Sequence, residues 1–195
     1  MMSEFFSAGG WFVLLGGTFS CIGLLHNSPG VCRLDERLSR ALHRYLNRFL
    51  ALFRALWLFG KTPLLMALLL LMLVFDRQAG GWASLFYLLI ASGERALKLA
   101  LKRQRPFSLL PDVEMYQPRQ PYDPSYPSGD AMRLWYLAFI LPAFFALPWI
   151  FLVIFCTIAL LASLGRIAFG VHFFLDVVGG AGLGLLGFGL FKLCL

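Results

Sequence analysis

Arg166, His172 and Asp176 stand at the junction of two strongly apolar segments, where ionisable groups are costly and seldom incidental. His172 and Asp176 are four residues apart, so on a helix the carboxylate shares a face with the imidazole and can orient it. Arg166 lies six residues before His172, close enough to set a guanidinium beside the ring across a short turn. An imidazole that attacks or accepts a proton, a carboxylate that orients it and a cation that holds an anion are parts phosphoryl transfer can use.

Two further polar clusters precede this one. Lys98, Lys102 and Arg105 follow i, i+4, i+7 spacing and would form one cationic stripe on a helix, with Glu94 placed to pair with Lys98. Taken alone, a snorkelling interfacial cluster explains the stripe equally well. In Tyr126-Pro127-Ser128-Gly129-Asp130, Ser128 suits a helix N-cap, and the free backbone N–H groups of a helix start can receive an anion that Gly129 lets approach. Taken alone, this is an ordinary capped helix start. Together the clusters describe a phosphate cradle of Lys98, Arg105, Arg166 and helix N–H groups, with His172 as the attacking group.

The elements that must position these residues are membrane helices. Of 195 residues 59% are hydrophobic and 14% charged, and the mean hydropathy is +0.76. A soluble domain of this length is far less apolar, and several runs approach or exceed the roughly 18–20 apolar residues that cross a bilayer. The net charge of +7 suits anionic headgroups and a phosphate-bearing substrate. Nucleic acid is excluded as a partner, because no soluble basic module remains outside the apolar segments. The four cysteines, Cys21, Cys32, Cys156 and Cys194, show no metal spacing. Cys156 and Cys194 read as small packing residues, and a Cys21–Cys32 disulfide requires an oxidising end.

In chain order, residues 5–25 form a first span, or else a re-entrant or interfacial segment, and Met1–Phe6 lacks the basic start of a signal peptide. From 33 to 57, Arg33, Arg37, Arg40, Arg44 and Arg48 recur at three- and four-residue intervals between Leu and Phe, the pattern of an amphipathic helix lying among headgroups. Spans follow over about 63–75, 80–101, 131–146 (interrupted by Pro142), 148–164 and 173–195. Residues 102–128 form the long polar loop, whose six prolines exclude a helix across it. In the last span Gly180 and Gly184 make a small-xxx-small pair for close helix packing. The expected fold is an all-α integral membrane bundle of six transmembrane helices, with the amphipathic helix between the first two spans. It forms one membrane domain over 1–195, with catalytic loops at about 98–130 and 165–176 on one side.

Lys98-(six residues)-Arg105-Pro106, then Pro127-Ser128-Gly129-Asp130, then Gly165-Arg166-(five residues)-His172-(three residues)-Asp176 resembles the three-part signature of the type 2 phosphatidic acid phosphatase superfamily, over roughly residues 35–190. The resemblance implies a six-helix membrane phosphatase that uses neither metal nor cofactor and forms a phosphohistidine on lipid phosphates or diphosphates. It implies His172 as nucleophile and Asp176 as its orienter. Lys98, Arg105 and Arg166 would bind the phosphoryl oxygens, helped by Ser128 and the Gly129 amide. Two positions depart from the pattern: Gly165 stands where the family usually has Ser, and Asp130 where it has the general-acid His. Both His26 and His43 read as plain interfacial residues.

Three consequences of Asp130 stay open. It acts as a protonated acid, which the surrounding cations oppose. Or the leaving group needs little protonation, as with an isoprenoid (undecaprenyl or other polyprenyl) diphosphate. Or turnover is lost and the protein binds lipid phosphates. Expected partners are a lipid phosphate or diphosphate and bulk phospholipid, with a homo-oligomer left open. The resemblance implies a bacterial inner-membrane protein whose site faces away from the cytoplasm, whereas the excess of arginines on the site's side points the opposite way by the positive-inside rule.

Overall fold

The computed structural model describes residues 8–195. Met1–Phe6 and the beginning of the first expected span lie outside the described residues. The helices, in order, are α1 (Ala8–Leu24), α2 (Pro29–Leu46), α3 (Leu50–Trp57), α4 (Thr62–Phe75), α5 (Arg77–Leu101), α6 (Pro106–Leu109), α7 (Gly129–Phe144), α8 (Trp149–Ala168) and α9 (Phe174–Leu193). Among the described residues the architecture is all-helical. Three stretches, Gly9–Asn27, Trp149–Ala168 and Phe174–Leu193, are long and apolar enough to cross a bilayer alone. Thr62–Phe75 reaches that length only joined to Pro29–Gly60 across a bend of 42°, so the expected count of six spans is approximate.

Local chemistry sets the boundaries. Pro29, Pro63 and Pro106 open their helices, where a missing N–H costs nothing. Asp76 caps α5 by accepting from the Gln78 and Ala79 amides at 2.9 and 3.0 Å. Lys102 ends α5 in the left-handed region, at φ 47°. That breaks the expected Lys98–Lys102–Arg105 stripe: Lys102 faces out, and Arg105 enters from an extended segment. The fifth span runs further than expected, to Ala168, so Arg166 sits on a helix and not in the turn.

α9 is the axis of the bundle. Of its best 18-residue stretch 78% is buried, against 33% in α8 and 28% in the α1 span. Its glycines explain how several helices reach it. A Cβ at Gly182 would lie 2.5 Å from the Ser20 amide of α1, one at Gly184 2.5 Å from the Met132 carbonyl of α7, and one at Gly187 2.8 Å from Ile90 of α5. The expected small-residue contact is therefore spread around three faces. An apolar core of Leu65, Met72, Ala83, Met132, Tyr136, Ile140 and Phe191 fills the far half.

Three expectations need correction. The amphipathic segment is not one helix, because a 3₁₀ turn at Asn47–Phe49 separates α2 from α3. Its inward face is polar: Asp35, Ser39 and His43, spaced by four, are buried, while Arg33, Arg37, Arg44 and Arg48 face outward as expected. His43 stacks on Tyr116 (5.6 Å) and His26 packs on Tyr126 (4.7 Å), so both are enclosed and neither is a plain interfacial residue. The cysteines are all free thiols, and Cys194 is exposed where packing was expected.

Adjacent glycines on α1 give a sharp test of this packing. A Cβ at Gly16 would strike the Leu186 backbone, whereas one at Gly17 meets nothing within 4 Å. Gly16→Ala is expected to cost about 1–3 kcal/mol through overpacking, and Gly17→Ala to gain up to about 1 kcal/mol of helix propensity. Thermal unfolding of the two variants in one detergent checks the opposite signs.

Candidate active site

The three polar clusters converge at one end of the bundle. Lys98, on the last turn of α5, is buried and pairs with Glu94 at 2.7 Å, the partner its spacing predicts. It also binds Asp123 of the long loop. Arg105 donates through Nη1 to the Val171 carbonyl (2.8 Å) and through Nε and Nη2 to Asp123 (2.8 and 2.9 Å). Arg166, on the last turn of α8, donates through Nη2 to Gln117 Oε1 at 2.6 Å and lies 3.1 Å from Asp130 Oδ2 through Nε. Its Nη1 is buried with no hydrogen-bond partner among the described residues.

These groups line one cavity of about 320 Å³. Its wall carries five cationic side chains (Lys61, Lys98, Arg105, Arg133, Arg166) against three carboxylates (Glu94, Asp123, Asp130), an excess of two positive charges beside His172. Trp57, whose indole N–H is also buried without a partner, completes the wall. Such a concave, cation-rich site suits a small multivalent anion.

The hydrogen-bond pattern selects the His172 tautomer. Arg105 Nη1 lies 3.3 Å from His172 Nε2, and a guanidinium can only donate. Nε2 therefore presents its lone pair, and the proton of a neutral ring resides on Nδ1. Burial, reinforced by the Arg105 guanidinium, holds the imidazole at about 3, so the ring is neutral at neutral pH. Nδ1 faces Asp176 Oδ2 at 3.5 Å, longer than a typical hydrogen bond, and has no other partner among the described residues. Asp176 is fully buried. Its Oδ1 accepts from Arg103 at 2.6 Å, and its Oδ2 accepts from the Ser125 hydroxyl and from the Phe173 amide at 2.8 Å.

The second cluster is divided. Ser128 does cap α7, accepting from the Ala131 amide at 3.4 Å, but it does not line the cavity. Gly129 does line the cavity, and a Cβ there would come within 2.9 Å of Glu94 Oε1. Asp130 also lines it, ion-paired with Arg133 and Arg166. Gly165 faces Phe53 of α3, where a Cβ would be 3.1 Å from the Phe53 Cβ, so the missing side chain lets α3 and α8 pack closely.

Several participants escape a motif reading. Asp123 bridges Lys98 and Arg105, Gln117 orients Arg166, and Arg103 joins Asp176 to Asp35. For Asp123, burial would raise the carboxyl, but Lys98 and Arg105 outweigh it and hold the group at about 2. Its carboxylate thus occupies the two cations that a bound anion would use. One signal for Asp35 was in plain view: Asp35, Ser39 and His43 repeat every four residues on the face opposite the arginines.

Residues 79–195 match the family described as the PAP2 superfamily. The structure is similar to the first transmembrane PAP2-type phosphatidylglycerolphosphate phosphatase from Bacillus subtilis, with a TM-score of 0.74 and 25% identity, covering 93% of this chain and 94% of that one. It is also similar to LpxE of Aquifex aeolicus, with a TM-score of 0.67 and 28% identity over 80% of this chain and 93% of that one. Comparison with curated proteins finds no match. A family match over more than half the chain, on apolar helices that enclose a cationic cavity, makes this an integral membrane protein belonging to the PAP2 superfamily.

Proposed function

We propose that the chain is a metal-independent phosphatase of a membrane lipid phosphate, working through a phosphohistidine on His172, with an isoprenoid diphosphate as preferred substrate. The observation that carries this reading is His172 Nε2 lying 3.3 Å from Arg105 Nη1, in a cavity with excess positive charge and an Arg166 Nη1 that has no hydrogen-bond partner among the described residues. In the first step the Nε2 pair forms a bond to phosphorus, and the bond from phosphorus to the bridging oxygen breaks. The lipid monophosphate departs with that electron pair. Lys98, Arg105 and Arg166 hold the phosphoryl oxygens, where charge is stabilised most. In the second step water adds its oxygen to phosphorus, the N–P pair returns to Nε2, and inorganic phosphate leaves with the water's surplus proton released to solvent.

Asp130 bears on substrate choice. Paired with two arginines, it is a carboxylate that accepts hydrogen bonds, which makes it a poor proton donor. A phosphate leaving group tolerates that loss, whereas an alkoxide from a monoester requires a proton. General acid catalysis is worth about 10²–10⁴-fold, so monoesters are expected to turn over slowly. The Bacillus relative is a phosphatidylglycerolphosphate phosphatase, which makes that monoester the natural comparison substrate. A second reading, a lipid-phosphate binder without turnover, is favoured by Asp123 and Asp130 already neutralising the cradle.

With purified protein, phosphate release from a polyprenyl diphosphate is expected to exceed that from phosphatidylglycerol phosphate. His172→Ala should remove it by about 10³-fold or more, and Asp130→His should raise monoester turnover more than diphosphate turnover. Faster monoester turnover by the unaltered chain overturns the diphosphate assignment, and binding without any release favours the second reading. Asp123→Asn should tighten orthovanadate binding about 3–10-fold by freeing Lys98 and Arg105, read by calorimetry. We place the site on the extracytoplasmic side of a bacterial inner membrane. Since α9 runs from His172 to the opposite end, a reporter fused after Leu195 should then be cytoplasmic.

A further inference from the structure

Asp176 and Arg103 have no direct access to the cavity, yet they form the most enclosed ion pair at this end of the protein. Arg103 Nη1 donates to Asp176 Oδ1 and Nη2 to Asp35 Oδ2, each at 2.6 Å, and the guanidinium lies 4.2 Å over the Phe173 ring. Asp35 in turn accepts from the Leu175 amide at 3.1 Å, and Ser39 accepts from the Phe174 amide at 2.9 Å. His43, next on the same face of α2, contacts the Ile167 carbonyl at 3.3 Å. The segment that carries His172 is thus held from one side by the buried polar face of the amphipathic helix.

We infer that Arg103 and Asp35 are positioning residues: they form an ionic relay, Asp35–Arg103–Asp176, that fixes the carboxylate behind His172 and sets how strongly it attracts a proton onto the ring. The inference rests on the reading of His172 as nucleophile. A buried carboxylate in low dielectric needs compensating charge, and a neutral imidazole supplies none. Arg103 supplies it, and Asp35 cancels the remainder, so the groups behind His172 leave a single net negative charge at Asp176. Removing Arg103 alone strands two carboxylates there and favours imidazolium, which has no attacking pair. Removing Asp35 alone leaves Arg103 and Asp176 as a neutral pair, takes away the net negative charge behind the ring and favours the neutral ring. Other charged or titratable groups that face this set are Arg105, Arg166 and Asp130 around His172, His26 and Tyr126 beside Asp176, and Cys32, hydrogen-bonded to Glu36, beside Asp35 and Arg103. None changes in the variants below.

With three histidines in the chain, ¹⁵N shifts of the full-length protein in nanodiscs can follow His172 between pH 4 and 8, with His172→Ala assigning the signal. The unaltered protein is expected to show the neutral Nδ1–H tautomer throughout. Arg103→Gln should bring imidazolium into that range, Asp35→Asn should not, and the double variant should return to the neutral ring because the net charge is restored. A structural defect would instead make the double variant the worst of the three. The relay is overturned if Arg103→Gln titrates like the unaltered protein, or if the double variant stays protonated. Where Arg103→Gln loses the native His26 and His43 signals, the double variant and the charge-keeping Arg103→Lys decide, and both should keep the ring neutral. On a polyprenyl diphosphate, Arg103→Gln should lower kcat roughly 10–100-fold, the scale for outer partners of a reacting group, with KM within about 3-fold. If the unaltered protein releases no phosphate, the proposed enzyme activity fails while the shifts still judge the relay.

Discussion

Charge burial at one end of an apolar bundle is the constraint on which this structure depends. Lys98, Arg105, Arg166 and Asp176 are all buried beside His172, in surroundings where an isolated charge is intolerable. Each has found opposite charge: Glu94 and Asp123 for Lys98, Asp123 for Arg105, Asp130 for Arg166, and Arg103 for Asp176. These pairs draw together α5, α7, α8, α9 and the long loop, and Asp35 of α2 joins them through Arg103. The end of the bundle is therefore held by ionic pairs, while the other half is held by packing.

The packing half makes the ionic half possible. α9 carries Asp176 on its first turn and lies deep in the bundle because its glycines let α1, α5 and α7 approach its backbone. A bulkier helix would separate α7 from α9 and, with them, Asp130 from His172. The amphipathic segment contributes in the same way from outside. Arg33, Arg37, Arg44 and Arg48 face outward while Asp35, Ser39 and His43 grip the turn around His172, so a surface element has become part of the support for the site.

Carboxylates of the cavity wall already neutralise part of its positive charge. Asp123 spans Lys98 and Arg105, and Asp130 takes Arg133 and one edge of Arg166. Any anion entering the cavity would have to compete with carboxylates already in place.

Membrane residence, the order of the apolar segments and the three polar clusters were all determined by the sequence itself. Their signals are local: hydrophobic run length, proline and glycine placement, and residues whose spacing puts them on one helix face. Pairs such as Glu94–Lys98 and caps such as Ser128 belong to the same class, because i, i+3 and i, i+4 neighbours meet wherever a helix forms. What the tertiary structure decided were the partners distant in the chain, namely Asp123 for Lys98 and Arg105, Gln117 for Arg166, and Asp35 for Arg103. It also decided the turn of Lys102 out of the stripe and that Ser128 does not line the cavity. Those outcomes depend on which buried charge lacks a counter-ion once the helices have packed, and that balance exists only in three dimensions.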